Sequence, residues 1–260
     1  MRLAVLSDIH GNLIALDAVL ADIQASGEVD VTWCLGDIAA FGPRPAECIR
    51  RLKALAEADE GKKFKVIGGN TDRYFVTGER PRQEPAKDAE SFKKMVAEWE
   101  TFDAGIHWGL EHLSFEDYEY LSKILGHELS KEVKDYGAVI GYHAIPGDDE
   151  ARLTPETPAE EANDALLDRE GRLGIGGHIH RQFDRDLGAW RIINVGSVGM
   201  SANNPGFAEW GLFTFDNDVL TVDFRRVPYD VDALVADFYA VGYPGTGWTA
   251  RYLQPDKPKV

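Results

Sequence analysis

The sequence predicts an α/β protein in which mixed sheets pack as two layers flanked by helices. Two observations carry this reading. A strand–helix–strand unit occupies the first thirty-odd residues and then repeats, and short strand-like runs succeed one another through the last third of the chain. Leu3 to Leu6 form a continuous apolar run, the pattern of a strand covered on both faces. Leu13, Leu16, Leu20 and Ile23 then recur at helical spacing, with Val19 on the same side and Asn12 at the helix N-cap position. Val31 to Leu35 give a second strand, Pro45 to Ala58 a second helix and Phe64 to Ile67 a third strand.

From Arg73 to Asp135 the character changes. Ala89 to Phe102 and Phe115 to Leu125 read as amphipathic helices with no strand between them, so residues 73–135 are expected to form a helical cap or insertion within a single domain spanning 1–260. Strand character returns at Ala138 to Tyr142. A polar loop with Pro146, Pro155 and Pro158 leads to a helix near Ala159 to Leu167. Short strands follow at Leu173 to Ile175, Gln182 to Leu187, Trp190 to Val195, Trp210 to Phe215 and Leu220 to Val227, with a hairpin turn at Asp216-Asn217-Asp218. Val231 to Val241 reads as a closing helix, and the tail from Gly242 as irregular. The expected sheet is parallel in the first half and antiparallel in the second.

Composition narrows the function. The chain has 260 residues, 44% hydrophobic and 28% charged, which suits a folded globular protein. No run of 18 apolar residues marks a membrane span, and the N-terminal apolar stretch is too short for a signal peptide, so the expected setting is the cytoplasm. Cys34 and Cys48 form neither a disulfide framework nor a Cys-x-x-Cys pair. The formal net charge of -16 repels long polyanions such as duplex DNA. It does not exclude a small phosphorylated substrate, because bound cations reverse the local sign.

Chemistry gathers where the apolar runs stop. The first strand ends in Asp8-Ile9-His10-Gly11-Asn12, the second in Gly36-Asp37 and the third in Gly69-Asn70-Thr71-Asp72. The fourth ends in His143, and Gly177-His178-Ile179-His180 opens the last third. Ligands of open α/β sheets bind beyond the carboxyl ends of strands. Asp8, His10, Asp37, Asn70, His143, His178 and His180 are therefore expected at one edge. Carboxylate, imidazole and amide oxygen suit Mn²⁺, Fe, Zn²⁺ or similar ions. A carboxylate such as Asp37 has two oxygens and can bridge two of them.

These segments resemble the signature of the calcineurin-like metallophosphoesterase superfamily. Supporting matches are Phe41-Gly42-Pro43, Asn194-Val195-Gly196-Ser197-Val198-Gly199 and Val227-Pro228-Tyr229-Asp230, which are similar to the bacterial branch related to diadenosine tetraphosphatases and small phosphodiesterases. The resemblance implies a four-layer α/β/β/α sandwich and two divalent metal ions, manganese foremost, with iron, zinc, nickel or magnesium as alternatives. One ion would take Asp8, His10, Asp37 and His180, and the other Asp37, Asn70, His143 and His178. A bridging hydroxide would hydrolyse phosphodiester or phosphomonoester bonds of a small substrate, with nucleotides among the candidates. Many members carry His directly after the motif Asn as proton donor, whereas this chain has Thr71; the usual Gly after the fourth-strand His is Ala144.

Several residues carry two readings. Asp72 is a candidate catalytic acid or a partner that orients a ligand histidine. Arg73 is a candidate phosphate contact or one side of a surface ion pair. Asn12 is a helix cap whose helix N-terminus would also favour a phosphate. His107, His112 and His127 rival His143 but lie in the helical insertion. Asp148-Asp149-Glu150 reads as a solvated loop. Two other functions compete with hydrolysis of small phosphoesters: a non-catalytic binding scaffold on the same fold, disfavoured by the full ligand set, and a nuclease, disfavoured by charge.

Overall fold

The computed structural model describes residues 1–253. Its core is a pair of five-stranded sheets packed face to face. The first sheet has the order β10-β9-β1-β2-β3, from β1 (Arg2–Leu6), β2 (Val31–Cys34), β3 (Phe64–Val66), β9 (Phe207–Asp216) and β10 (Val219–Pro228). The second runs β4-β5-β6-β8-β7, from β4 (Leu129–Val133), β5 (Gly137–Gly141), β6 (Leu173–Gly176), β7 (Phe183–Asp186) and β8 (Arg191–Asn194). The alternation of side chains along a strand assigns the layers. In β1, Leu3 and Val5 join Trp33, Val139, Ile175 and Phe213 between the sheets, while Ala4 and Leu6 face the helices.

The outer face of the first sheet is covered by α1 (Leu13–Ala25), α2 (Pro45–Glu57), α3 (Asn70–Thr77), α4 (Ala89–Glu111) and α5 (Phe115–Ile124). Beyond the second sheet, Ala162 of α6 (Ala159–Asp164) packs with Leu166 against Ile140, Tyr142 and Ile192. Helix, sheet, sheet and helix make the expected four-layer α/β/β/α sandwich. Near the chain end, Leu234 and Phe238 of α7 (Val231–Ala240) pack with Tyr243 and with Leu253 of α8 (Thr246–Leu253).

The structure differs from the sequence reading at four places. A strand, β4, lies inside 73–135: it is a sheet edge whose Ser130, Lys131 and Glu132 are exposed, so no apolar alternation announces it. α5 from the same segment packs into the main core through Leu121 and Ile124. The second half is not wholly antiparallel, because β5, β6 and β8 run parallel; β7 pairs only at the outside of β8, which leaves β8 free to lie beside β6. Finally, the tail from Gly242 contains α8, held by the cluster around Phe238 despite the nearby Pro244, Gly245 and Gly247; residues 254–260 of that tail lie outside the described residues. Among the described residues, no helix is long and apolar enough to cross a membrane.

Candidate metal centre

Both sheets present the carboxyl ends of strands to one edge. Asp8 follows β1, Asp37 follows β2, Asn70 opens α3 just beyond β3, His143 follows β5, and His178 follows β6. The backbone there is unusual. Asp8, His10, Asp37, His178 and His180 all have positive φ, between 50° and 67°, a left-handed conformation that non-glycine residues rarely adopt. Such positions cost of order 1–3 kcal/mol each and persist where surrounding structure imposes them. Here the imposition is visible: His10 and Gly11 donate backbone N–H groups to Asp37 and Ile38, and Asp8 donates to Gly36.

The seven residues meet as two clusters that share Asp37. Asp8, His10, Asp37 and His180 bring ligand atoms within 4.8 Å of one another, and so do Asp37, His143 and His178. In the first cluster His10 Nε2 lies 3.0 Å from His180 Nε2, and Asp8 Oδ1 lies 3.2 Å from His180 Nε2. In the second, Asn70 Oδ1 is 2.9 Å from both His143 Nε2 and His178 Nδ1. Asp37 turns one oxygen to each side, with Oδ1 3.5 Å from His143 Nε2 and Oδ2 3.8 Å from His10 Nε2.

Outer contacts aim these groups. His143 Nδ1 donates to the Leu35 carbonyl at 2.7 Å and His10 Nδ1 to the Ala40 carbonyl at 3.1 Å. Each bond places the ring proton on Nδ1 and leaves the Nε2 lone pair facing the site, as metal-binding imidazoles require. Asp37 Oδ1 accepts from Thr71 N at 2.9 Å, and Asp8 Oδ2 accepts from His178 N at 2.9 Å. Ser197 Oγ donates to the Asp8 carbonyl, and Asn194 Nδ2 to the Gly177 carbonyl. Gly69 and Gly177 are glycine for lack of room. A Cβ at Gly69 would stand 2.3 Å from Asp37 Oδ1, and one at Gly177 would stand 2.4 Å from Asp8 Oδ2.

Electrostatics match a cation site. Burial opposes ionisation of Asp37, yet His143 and His10 hold its carboxyl far below the usual range. The reciprocal effect overcomes burial at His143 and lifts its imidazole to about 10. Asp8 and His180 make a second such pair: despite burial the Asp8 carboxyl falls and the His180 imidazole rises. Burial and the neighbouring His180 push His10 down to about 4. Asp8 Oδ1 is buried and meets no donor in hydrogen-bonding geometry, although His180 Nε2 stands 3.2 Å away. Two carboxylates, an amide oxygen and four imidazoles around such an orphaned acceptor fit a pair of borderline divalent ions.

Other predicted site residues lie differently. Asp72 is wholly buried; its Oδ1 accepts from Ile38 N and its Oδ2 from Gly69 N, both at 3.0 Å. It fastens the β2 and β3 loops together and has no hydrogen bond to a ligand histidine. Burial and nearby Asp37 push its carboxyl up to about 7. Arg73 sits in a charged cluster, forked onto Asp149 at 2.9 Å and bonded to Glu150 and Glu79. Asp148-Asp149-Glu150 is thus an ion-paired strap rather than a loose solvated loop, with Arg82 also bonded to Asp148. Asn12 caps α1, its Oδ1 accepting from Ala15 N at 3.0 Å. His107, His112 and His127 are exposed and outside both clusters. The sequence reading had Phe41 only in a supporting match and gave it no place at the site; its ring centroid lies 5.5 Å from that of His10 and its φ is 75°. Its adjacency to Gly42-Pro43 was the available signal.

Comparison with known proteins bears on the fold and the family. Over most of its length the chain is 28% identical to the uncharacterized protein MJ0912 of Methanocaldococcus jannaschii, covering 88% of each. A shorter stretch of 76 residues, 29% of this chain and 25% of the relative, is 30% identical to a symmetrical bis(5'-nucleosyl)-tetraphosphatase of Pectobacterium atrosepticum. Two solved structures share the fold. Hypothetical protein PH1004 of Pyrococcus horikoshii superimposes with a TM-score of 0.77 at 23% identity, over 97% of both chains. A metallophosphoesterase of Sphaerobacter thermophilus gives 0.69 at 24%, over 97% of this chain and 98% of that one. The calcineurin-like phosphoesterase family model matches residues 1–182, the stretch that contains all seven clustered residues, and the chain therefore belongs to that family.

Proposed function

We propose that this protein is a divalent-metal-dependent hydrolase of small phosphoesters, working at a dinuclear centre. The observation that supports it best is the meeting of two donor sets at Asp37. Asp8, His10, Asp37 and His180 would hold one ion, and Asp37, Asn70, His143 and His178 the other. When bound, such a pair lowers the pKa of water toward neutrality and neutralises charge on phosphoryl oxygens. The chain's own residues fix the donors: Leu35 and Ala40 carbonyls orient two imidazoles, and Thr71 N holds the shared carboxylate.

The chain has no evident proton donor where the family places histidine. Thr71 Oγ1 is buried without a hydrogen-bond partner, and the Asp72 carboxyl is enclosed by two backbone N–H groups. Neither can deliver a proton to an alkoxide, so the preferred substrates have leaving groups stable as anions, such as aryl esters or phosphoanhydrides. The net charge of -16 favours a small substrate over a long polyanion. α4 serves as the cap over the site edge. Cys34 and Cys48 are buried and unpaired, as suits a reducing compartment such as the cytoplasm.

Purified protein stripped of metal and resupplied with Mn²⁺ should hydrolyse bis-p-nitrophenyl phosphate, and chelation should abolish the activity. Full activity after chelation, or none with any divalent ion, would reject the proposal.

A further inference from the structure

A cavity of about 550 Å³ opens beside the first metal cluster, and its lining differs in kind from the site it adjoins. His180 belongs to both. One wall is α4, through Ala97, Thr101 and Phe102; the facing wall begins at Tyr243. The walls touch because Gly105 has no side chain: a Cβ there would come within 2.8 Å of Tyr243 Oη. Phe41 and Phe102 meet edge to face at 5.9 Å, and Phe41 in turn lies 5.5 Å from His10. An aromatic surface thus runs unbroken from a candidate ligand imidazole into the cavity. Among the described residues, its only acidic or lysine side chains are Lys94 and Glu98, which are exposed and paired with each other at 3.6 Å.

We infer that this cavity receives the organic arm of the substrate, and that this arm is an apolar ring system of nucleoside size rather than a compact polar alcohol or a long acyl chain. The inference rests on the proposed phosphoesterase reading, which puts the phosphoryl group at the metal cluster next to His180. Three considerations lead from the lining to the occupant. The volume falls within the range of small-molecule sites and far exceeds what a glycerol or serine moiety fills. An apolar wall leaves the hydroxyls of such alcohols without partners. Three aromatic side chains, Phe41, Phe102 and Tyr243, the first two meeting edge to face, suit the faces and edges of another ring.

The test uses ligands that cannot be hydrolysed because carbon is bonded directly to phosphorus. Methylphosphonate, 1-naphthylmethylphosphonate and n-decylphosphonate are titrated into the full-length, Mn²⁺-loaded protein by calorimetry. Burying the naphthyl group should tighten binding by about tenfold or more over methylphosphonate. Ala97→Trp and Thr101→Trp fill the cavity from exposed positions one turn apart on α4, distant from the cluster residues in sequence. Each should erase the naphthyl advantage while leaving methylphosphonate affinity unchanged, which also shows that the variant is folded and loaded. Equal affinities in the wild type, a naphthyl advantage that survives both substitutions, or tighter binding of the decyl ligand would overturn the inference. Hydrolysis of bis-p-nitrophenyl phosphate on the same preparations separates the two claims. Protein that hydrolyses it but ignores the naphthyl group rejects the cavity assignment alone. Protein that prefers the naphthyl ligand yet hydrolyses nothing supports the cavity assignment and rejects the hydrolase.

Discussion

Replacing Gly69 by alanine should cripple the metal centre without unfolding the protein. Gly69 has φ −107°, a conformation alanine accepts, so backbone strain is not the objection. The objection is space. The new Cβ would stand 2.3 Å from Asp37 Oδ1, 2.6 Å from His143 Cε1 and 2.7 Å from Asp37 N. Ordinary contact begins near 3.4 Å, so the carboxylate and the imidazole must each retreat by roughly an ångström. Neither can do so freely: Asp37 Oδ1 is held by Thr71 N at 2.9 Å, and His143 Nδ1 by the Leu35 carbonyl at 2.7 Å. Disturbing groups that orient metal ligands costs about 10–100-fold in metal affinity, or about 1.4–2.7 kcal/mol. Competition against a chromophoric chelator for Mn²⁺ and Zn²⁺ measures the loss. Gly78→Ala is the control: it has φ +73°, nothing lies within 4 Å of the added Cβ, and it should cost about 1 kcal/mol in stability with metal affinity unchanged. Wild-type affinity in Gly69→Ala, or an equal loss in Gly78→Ala, would refute the packing account.

Three further outcomes are expected. Metal-free protein should lose thermal stability as pH rises above about 6.5: the folded-state pKa of His143, about 10, and that of His180 are raised, so their contribution is complete below the unfolded value and disappears as pH passes through the folded one. Metal-loaded protein should lack this decline, because bound ions require those imidazoles deprotonated, and parallel Tm–pH curves for the two forms would contradict the reasoning. Asp72→Asn puts an amide N–H against either Ile38 N or Gly69 N and should destabilise the fold by about 1–3 kcal/mol in urea titration; an unchanged midpoint would show that the two loops are not held through this carboxylate. Arg73→Ala should lower stability by about 1–2 kcal/mol through loss of its forked pair with Asp149 and its bond to Glu150, with metal affinity intact, and a raised KM without loss of stability would instead make Arg73 a substrate contact.

Much of this was legible along the chain because strand ends are marked locally. Apolar runs such as Leu3 to Leu6 and Val31 to Leu35 stop at Ser7-Asp8 and Gly36-Asp37, and an α/β sheet must bring such ends to one edge. Helices α1, α2, α5 and α7 were likewise visible in their spacing, and the β9–β10 hairpin in its turn. Edge strand β4 and helix α8 were not, because their local patterns are weak and neighbours hold them in place.

Residue types and their order along the chain thus determined the donor chemistry and the layered α/β frame. Only the tertiary structure decided that Asp72 and Arg73 spend their charges on the scaffold, and that α4 and Tyr243 enclose an apolar cavity next to His180. The physical reason is range. Periodicity and turn residues report interactions over a few positions, whereas an ion pair such as Arg73 with Asp149 or a contact between Gly105 and Tyr243 joins segments whose separation in the chain carries no local signal.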